Sequence, residues 1–272
     1  MLASLPDFPG KRRLAKLLYG SKLRNKSDIE IPGKFGTRFK VPNLRENIAF
    51  DIFVNGIYEP DIIHCLNGLL PHNGKFLDLG ANIGAILIPL CKQRPDIRAL
   101  GIEAAPWIYE YLSDNLERNK ISNAIVLNNA LFDKDDVQLD FFSPRDKFGK
   151  GSLSPVFEDQ GVKVISRRID TILTEQKFGK PDLIKADVEG FEYFVFKGGE
   201  ALLTAQDAPD ILFEFVDWAE ERAQDLKPGD AQRLLLDFGF NLFTFEKGKF
   251  QRLDGVLTSG AANIFASKKR KV

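Results

Sequence analysis

The chain has 272 residues, of which 44% are hydrophobic and 28% are charged, proportions that are ordinary for a globular protein with a sizeable core. Its 38 basic and 38 acidic side chains cancel, so bulk charge indicates neither a nucleic-acid-binding nor a membrane-surface protein. No stretch reaches the roughly 18 apolar residues that span a bilayer, and the N-terminus lacks the order of a secretory signal. We therefore expect a cytoplasmic protein, with Cys65 and Cys91 buried and reduced because they show no metal-ligand spacing.

Residues 1–74 are expected to form an N-terminal extension. The stretch GKRRLAKLLYG predicts a short basic amphipathic helix that either covers the domain or touches an anionic surface. We interpret FKVPNLRENIAFDIFVNG as two short strands or a loose hairpin. The stretch EPDIIHCLNGLL predicts a helix with Pro60 near its start, placed to fold over a bound cofactor as a lid.

From Lys75 onward, strands alternate with helices, which is the pattern of a doubly wound, mostly parallel α/β sheet. The seven predicted strands are KFLDLG, IRALGIEA, AIVLNNAL, DLIKAD, DILFEFVD, NLFTFE and NIFAS. The predicted helices cover residues 83–93, 106–119, 191–205 and 230–238, the third interrupted by Gly198-Gly199. Residues 137–170 alternate as β-strands around a polar loop, and we interpret them as an antiparallel insertion beside the sheet. This domain is expected to cover residues 75–267, followed by a basic tail at 268–272.

The stretch KFLDLGANIGAIL (75–87) joins a strand to a helix through a glycine loop, the place where doubly wound sheets bind nucleotides. The dinucleotide fingerprint needs a close glycine pair, whereas this loop has only Gly80 and Gly84. Asp78 would repel a pyrophosphate by about 4 kcal/mol for unit charges about 4 Å apart at an effective dielectric of about 20. The same carboxylate attracts a cofactor with an ammonium group and a sulfonium centre. The loop therefore predicts S-adenosylmethionine rather than a dinucleotide.

Polar residues at the ends of the next strands fit this cofactor. Glu103 ends the second strand, where α/β sheets place the acid that binds ribose hydroxyls, the alternative being a solvated strand end. Asn129 ends the third strand, where it either hydrogen-bonds the adenine ring or makes a turn. The stretch DLIKADVEGFE then places Asp187, Glu189 and Glu192 beside the switch point of the sheet, and a helix N-cap would account for only one of them.

These segments, in this order, resemble the FkbM-type methyltransferases. The resemblance is carried by YEPD (58–61), FLDLGANIG (76–84), GIEAAP (101–106), NNALFDKDD (128–136), RRIDTIL (167–173), DLIKADVEGFEYFVFKGG (182–199) and PDILFEF (209–215). It implies a class I, Rossmann-like fold that uses S-adenosylmethionine to methylate a hydroxyl, often on a sugar or a polyketide-type natural product.

The resemblance also implies roles for individual residues. The residues that would hold the methionyl end are Asp78, Gly80, Asn82 and Gly84. Glu103 would bind the ribose and Asn129 the adenine side, while Asp187 and Glu189 would face the methyl-transfer centre. The family usually follows its ribose acid with proline, whereas here Ala104-Ala105 comes first, and this departure leaves the path of the loop open.

Methyl transfer to a hydroxyl needs in-line alignment and a base for the hydroxyl proton. Asp187 is the first candidate base, followed by Glu214 and Asp217, because a carboxyl in a dry cleft has a raised pKa. We interpret the two histidines, His64 and His72, as packing and structural residues. The acids could alternatively bind Mg²⁺, although no ligand spacing indicates a metal site.

The loop SPRDKFGKGSLSP (143–155) is long and polar, which is typical of a substrate loop, and we expect it to shape the acceptor pocket. A small molecule or a saccharide is the expected acceptor. Nucleic acid is not expected, because the basic run SKKRKV is more typical of a solvated tail. Two other functions stay open, namely a dinucleotide-dependent oxidoreductase and a non-catalytic binding protein that has this fold. The sequence leaves the oligomeric state open.

Overall fold

The computed structural model describes Phe8 and residues 10–23, 26–155, 160–223 and 225–270 of the chain. The N-terminal elements are α1 (Lys11–Leu23), β1 (Ile29–Pro32), β2 (Arg38–Val41), α2 (Asn47–Asn55) and α3 (Pro60–Leu69). The elements that follow are β3 (Lys75–Leu79), α4 (Leu87–Gln93), β4 (Arg98–Glu103), α5 (Pro106–Arg118), β5 (Ala124–Asn128), β6 (Ala130–Leu131), β7 (Gln138–Phe141), β8 (Val162–Arg167), α6 (Ile169–Glu175), β9 (Leu183–Ala186), α7 (Glu192–Lys197), α8 (Glu200–Thr204), β10 (Asp210–Val216), α9 (Asp217–Arg222), α10 (Asp230–Asp237), β11 (Asn241–Glu246), β12 (Lys249–Arg252) and β13 (Ala261–Ser267).

The main sheet has eight strands in the order β12-β11-β13-β10-β9-β3-β4-β5. Strands β5, β4, β3, β9 and β10 pair in parallel, whereas β13 is antiparallel to both β10 and β11. All seven predicted strands are present, and β12 joins them as a hairpin partner of β11. The predicted doubly wound, mostly parallel sheet is confirmed. The chain order reverses between β3 and β9, so the carboxyl ends of these strands form the switch point.

The predicted insertion is a separate three-stranded sheet in which β7 and β8 pair antiparallel and β6 pairs with β8 in parallel. The antiparallel addition is therefore confirmed. Its last predicted residues, 169 and 170, instead begin α6.

Several helices differ from the prediction for local reasons. Helix α4 begins at Leu87 rather than at residue 83, because Asn82 (φ 50°) and Gly84 (φ 85°) leave the right-handed helical region. The predicted helix 191–205 divides into α7 and α8 at the glycine pair, as expected. The prediction missed α6 and α9, while α5 and α10 end one residue earlier than predicted.

The N-terminal part contains one wrong prediction, since the stretch NIAFDIFVN forms α2 rather than a strand. The Glu46 side chain accepts a hydrogen bond from the Asn47 N–H at the start of this helix, and Gly56 ends it in the left-handed conformation. The helices predicted at α1 and α3 are confirmed. The hairpin β1–β2 docks on α5, because the side chains of Asn115 and Asn119 hydrogen-bond the β2 backbone.

Two buried hydrophobic clusters cover the faces of the sheet, as the neighbours Phe76 and Leu77 illustrate by belonging to different clusters. The first cluster includes Phe39 and Ile52, so the N-terminal part shares a core with the sheet. The domain boundaries at residues 74 and 267 stay a prediction. Cys65 and Cys91 are buried and free, as expected.

The basic tail is not simply solvated. The ammonium group of Lys268 donates to the carbonyl oxygens of Thr204 and Ala205 at 3.2 and 3.0 Å, and burial lowers its pKa. The guanidinium of Arg270 lies 4.8 Å from the ring centre of Phe250. Residues 271 and 272 lie outside the described residues. Among the helices that the structure describes, none has the length and apolar character needed to cross a membrane.

Candidate active site

A cleft opens at the carboxyl ends of β3, β4 and β9, beside the switch point of the sheet. Its walls include the glycine loop, the residues that follow β5 and β9, and the loop 143–155. The predicted site residues that line it are Asp78, Gly80, Asn82, Glu103, Asn129, Asp187, Glu189 and Glu214. Strands distant in sequence therefore bring almost the whole predicted site together.

Gly80 lies where the two main motifs meet. Its backbone is left-handed (φ 79°), and a Cβ atom would lie 1.9 Å from the carbonyl oxygen of Asp187. The N–H groups of Gly80 and Ala81 both donate to the Ile102 carbonyl, at 3.0 and 2.9 Å. Only glycine fits this position, because any side chain would push the loop away from the residues that follow β9.

Gly84 has a different environment. It is also left-handed (φ 85°), but a Cβ atom would lie 2.6 Å from Ile88 Cδ1 and 3.0 Å from Leu112 Cδ1. Gly84 therefore packs between the loop and two helices, and its contact with the methionyl end of the cofactor stays a prediction.

Glu103 is 5% exposed and is held by backbone donors. Its Oε2 accepts the Asn82 N–H at 3.0 Å and its Oε1 accepts the Ala105 N–H at 2.8 Å. Burial raises the pKa of Glu103 to about 7, although both hydrogen bonds act to lower it. The loop after β4 thus folds back onto its own acid, and the Ala104-Ala105 departure leaves Glu103 in the cleft.

Asn128 is the last residue of β5 and Asn129 follows it. The Asn128 side chain makes the turn contacts, donating to the carbonyl oxygens of Glu103 at 2.8 Å and Ala104 at 3.1 Å. Asn129 donates its backbone N–H to the Glu103 carbonyl at 3.2 Å and lines the cleft. The adenine-side role of Asn129 stays a prediction.

Lys185 on β9 lines the cleft and is a residue that the sequence analysis missed. It is 7% exposed, and its Nζ lies 3.3 Å from the Gly80 carbonyl oxygen, 3.5 Å from Asp187 Oδ2 and 3.6 Å from Asp78 Oδ1. Burial alone would lower the pKa of Lys185, but the carboxylates of Asp187 and Asp78 raise it above its usual value. The available signal was a lysine in an otherwise apolar, central strand, since a buried lysine needs a carboxylate partner.

Asp78 is fully buried, and neither of its carboxylate oxygens accepts a hydrogen bond from the part of the chain that the structure describes. Burial raises its pKa, while the ammonium of Lys185 opposes the rise. A buried carboxylate without hydrogen bonds leaves acceptor capacity for a ligand donor such as an ammonium group. Together with Glu103, which suits ribose hydroxyls, this residue set fits S-adenosylmethionine.

A second group of carboxylates also lines the cleft, namely Asp187, Glu189 and Glu214. Burial raises the pKa of Glu189 to about 7 and that of Glu214 to about 8, and the Asp187 charge adds to both shifts. Glu189 pairs with Lys150 of the loop 143–155, with Oε1 and Nζ 3.3 Å apart. The Asp187 side chain is 32% exposed toward the cleft, which suits a group that exchanges a proton with a ligand.

The other candidate acids have structural partners. Asp217 accepts the N–H groups of Trp218 at 2.6 Å and Gly260 at 2.7 Å, so it is not placed to act as a base. Glu192 is 4% exposed and accepts the Val188 N–H at 2.9 Å, which stabilises the turn before α7. The N-cap of α7 is Phe191, and no side chain among the described residues caps it, so the capping alternative for Asp187 is not observed.

Both histidines are exposed, and neither His64 nor His72 is among the cleft residues. Within the described residues, no group of three or more His, Cys, Asp or Glu side chains is arranged to hold a metal ion.

The loop 143–155 forms part of the cleft wall. Phe148 is fully buried, and its carbonyl oxygen accepts the Asn82 side-chain amide at 3.0 Å. The backbones of Phe142 and Ser152 exchange two hydrogen bonds, at 2.8 and 2.9 Å, which fold the loop back on itself. The loop thus contacts the glycine loop through Asn82 and the acidic end through Lys150.

The sheet order, with an antiparallel strand inserted next to the last parallel one, and the glycine loop define the class I, Rossmann-like S-adenosylmethionine-dependent methyltransferase fold. The family model described as the methyltransferase FkbM domain matches residues 78–242, more than half of the chain. The chain belongs to this family. The predicted family, fold and cofactor are thereby confirmed.

Individual relatives are more distant. A tRNA(Phe) (4-demethylwyosine(37)-C(7)) aminocarboxypropyltransferase of Methanocaldococcus jannaschii is 27% identical over 131 residues, which are 48% of this chain and 51% of that protein. The chain therefore spans about half the length of that relative. The solved structure of a precorrin-6y C5,15-methyltransferase from Geobacter metallireducens has 13% identity and a TM-score of 0.46, over 78% of this chain and 88% of that one. A TehB-like SAM-dependent methyltransferase from Corynebacterium glutamicum has 15% identity and a TM-score of 0.45, over 79% and 92%.

Proposed function

We propose that the protein is an S-adenosylmethionine-dependent O-methyltransferase that methylates a hydroxyl group of a small molecule, such as a saccharide or another natural product. The observation that carries this proposal is that one cleft is lined both by Asp78 and Glu103, which suit the cofactor, and by Asp187, Glu189 and Glu214, which suit a hydroxyl acceptor. We assign the first two residues to a cofactor end and the other three to an acceptor end of this surface.

At the cofactor end, Asp78 binds the ammonium group of the methionyl part and Glu103 binds the ribose hydroxyls. Gly80 brings the loop backbone close to the ligand, and Asn129 hydrogen-bonds the edge of the adenine. Asn82 holds Glu103 through its backbone N–H and the loop 143–155 through its side chain, so it supports the site rather than the ligand alone. When bound, S-adenosylmethionine supplies an electrophilic methyl group.

At the acceptor end, Asp187 accepts the proton of the acceptor hydroxyl. The ammonium group of Lys185 holds this carboxylate through an ion pair, which links the base to strand β9. Glu189 and Glu214 bind other hydroxyl groups of the acceptor, since carboxylates and carboxyl groups both hydrogen-bond hydroxyls. The loop 143–155 excludes water from this end.

The charge of the acceptor end supports a small acceptor over a nucleic acid. Asp187, Glu189 and Glu214 line it together, whereas the lysines that line the cleft, Lys150 and Lys185, already pair with carboxylates. Phosphate groups would be repelled by this surface. The tRNA-modifying activity of the archaeal relative is therefore not the activity that we propose for this chain.

The experiment is a pair of matched variants, Asp187→Asn and Asp217→Asn. Saccharide and natural-product acceptors are first screened by intact mass for the gain of one methyl group. With an accepted substrate, Asp187→Asn should lower turnover at least about tenfold, because asparagine cannot take the proton, while S-adenosylhomocysteine binds as before. Asp217→Asn should stay active, because asparagine can accept one of the two backbone hydrogen bonds that hold Asp217.

Two outcomes would contradict the proposal. A fully active Asp187→Asn variant would remove Asp187 from the chemistry and move the role to Glu214. Failure of the wild-type chain to bind S-adenosylhomocysteine in calorimetry would support a non-catalytic protein with this fold.

A further inference from the structure

The first helix, α1, exposes an apolar strip that the proposed methyl transfer does not use. Leu17 and Leu18 are 80% and 52% exposed, more than any other large apolar side chain that the structure describes, and Leu14 is 37% exposed. These leucines occupy positions i, i+3 and i+4 and therefore lie on one side of the helix. Exposed apolar side chains are normal one at a time, but a contiguous strip on one helix marks an interaction surface.

A different side of α1, roughly a third of a turn from the strip, attaches the helix to the domain. Ala15 is fully buried, and the ring of Tyr19 meets the ring of Phe53 edge-on at 5.5 Å. Arg12 Nε lies 3.3 Å from Asp51 Oδ1, which adds an ion pair between α1 and α2. Helix α1 is thus attached to the domain by its inner side, and the leucine strip points away from the protein.

Charge around the strip has one sign. Residues 8–27 contain seven basic and no acidic side chains, and, since the whole chain is neutral, the rest carries seven balancing negative charges. Arg13 and Lys16 are exposed on α1, where Arg13 lies one turn before Leu17 and the Lys16 ammonium lies 5.7 Å from the ring centre of Phe50. A helix with exposed leucines flanked by basic residues lies in the interface of an anionic bilayer, with its apolar side among the acyl chains.

We infer that α1 docks the protein on an anionic lipid surface, with Leu14, Leu17 and Leu18 inserted below the headgroups and Arg13 and Lys16 at headgroup level. The leucines favour lipid over nucleic acid, because a phosphate backbone is bound by basic and polar side chains and has no use for an exposed apolar strip. The basic charges favour lipid over a second copy of this chain, because two copies of α1 would repel each other.

The test is co-sedimentation of the full chain with vesicles of phosphatidylcholine alone or mixed with phosphatidylserine, at low and high salt. The wild-type chain should bind the mixed vesicles, and salt should weaken this binding. The double variant Leu17→Glu with Leu18→Glu should bind at least about tenfold more weakly. Exchange of Arg13 and Lys16 for glutamine should weaken binding roughly 30-fold, for two basic side chains near an anionic surface.

The matched control is Leu236→Glu on α10, since Leu236 is 40% exposed and lies outside α1; it should bind like the wild type. Circular dichroism melting of every variant separates lost docking from lost folding. Equal binding of the leucine variant and the wild type, or equal binding to both kinds of vesicle, would overturn the inference. So would binding to RNA in preference to vesicles, or a dimer that the leucine variant dissolves. Methyl transfer in solution should be the same for all these variants, so failure here is separate from failure of the proposed function.

Discussion

The buried ammonium of Lys185 offers the sharpest test of how the cleft is stabilised. Its Nζ has three polar neighbours within 3.6 Å and its residue is 7% exposed, whereas Asp78 has no hydrogen bond among the described residues. Exchange of Lys185 for methionine keeps the aliphatic stem but leaves Asp78 as a buried charge without a partner. Removal of one member of a buried ion pair costs about 3–5 kcal/mol. At about 2–4 °C for each kcal/mol in a chain of this size, Tm should fall by about 6–20 °C.

Lys40 provides the matched control. Its Nζ also pairs with two carboxylates, those of Asp28 at 3.7 Å and Asp114 at 3.6 Å, but its side chain is 34% exposed. The variant Lys40→Met should therefore lose no more than about 1 kcal/mol for each pair. Both variants are compared by urea denaturation at neutral pH.

A second change isolates the cause. If the loss in Lys185→Met comes from the stranded charge of Asp78, the added substitution Asp78→Asn should restore at least half of the lost free energy of unfolding. A Lys185→Met variant as stable as the wild type would refute the reasoning. So would a double variant that is no more stable than Lys185→Met, because the loss would then come from packing.

Two further predictions concern the same cleft. Gly80→Ala should destabilise the protein by at least about 2 kcal/mol, and by more than Gly36→Ala does. Both glycines have positive φ, but only at Gly80 would a Cβ atom meet the Asp187 carbonyl. Similar urea midpoints for the two variants would argue against this contact. Burial is the main cause that raises the pKa of the Glu214 carboxyl from its usual value of 4.5 to about 8. The stability that this protonated carboxyl contributes is therefore fully present below about pH 4.5 and is lost as the pH rises through 8. Glu214→Gln should therefore be more stable than the wild type above pH 8, with a difference that closes toward pH 4.5, and a constant difference in urea titrations across this range would contradict the shift.

The part of the site that was predictable follows from the parallel sheet. Asp78, Glu103 and Asp187 each come at or just after the carboxyl end of a predicted strand, and parallel strands bring these ends to one edge. To place these residues in one cleft, the sequence analysis also had to identify the first strand of the sheet. The glycine loop after β3 indicated that strand. Eight of the nine predicted residues consequently line one cleft.

The part that was not predictable depends on register. Asp78 and Lys185 are direct partners across the pair β3–β9, so their side chains lie on the same face of the sheet. They are more than one hundred residues apart in the chain, and no local pattern sets that alignment. A one-residue shift would place Lys185 on the other face. The sequence analysis therefore explained Asp78 through the cofactor alone and missed the lysine beneath it.

Local patterns failed for a different reason at α2. The run IAFDIFV contains almost only apolar residues, so periodicity does not separate a buried strand from a buried helix. The decisive signals were Glu46 before the run and Gly56 after it, which cap the helix at both ends. Gly84 shows the same limit, since a glycine in a nucleotide-binding loop can serve packing or ligand approach, and only the structure shows that Ile88 and Leu112 pack against this one.

The two main motifs of the cleft contact each other directly. The stretches FLDLGANIG and IKADVEGFE meet at one point, where Gly80 lies against the Asp187 carbonyl and the Asp187 N–H donates to the Leu79 carbonyl. Lys185 adds a hydrogen bond to the Gly80 carbonyl and ion pairs to Asp78 and Asp187. A side chain at position 80 would displace the proposed base, and loss of the lysine would leave both carboxylates without their shared cation. The cofactor end and the acceptor end are therefore coupled through Gly80 and Lys185, and a substitution of either of these two residues should disturb both binding steps.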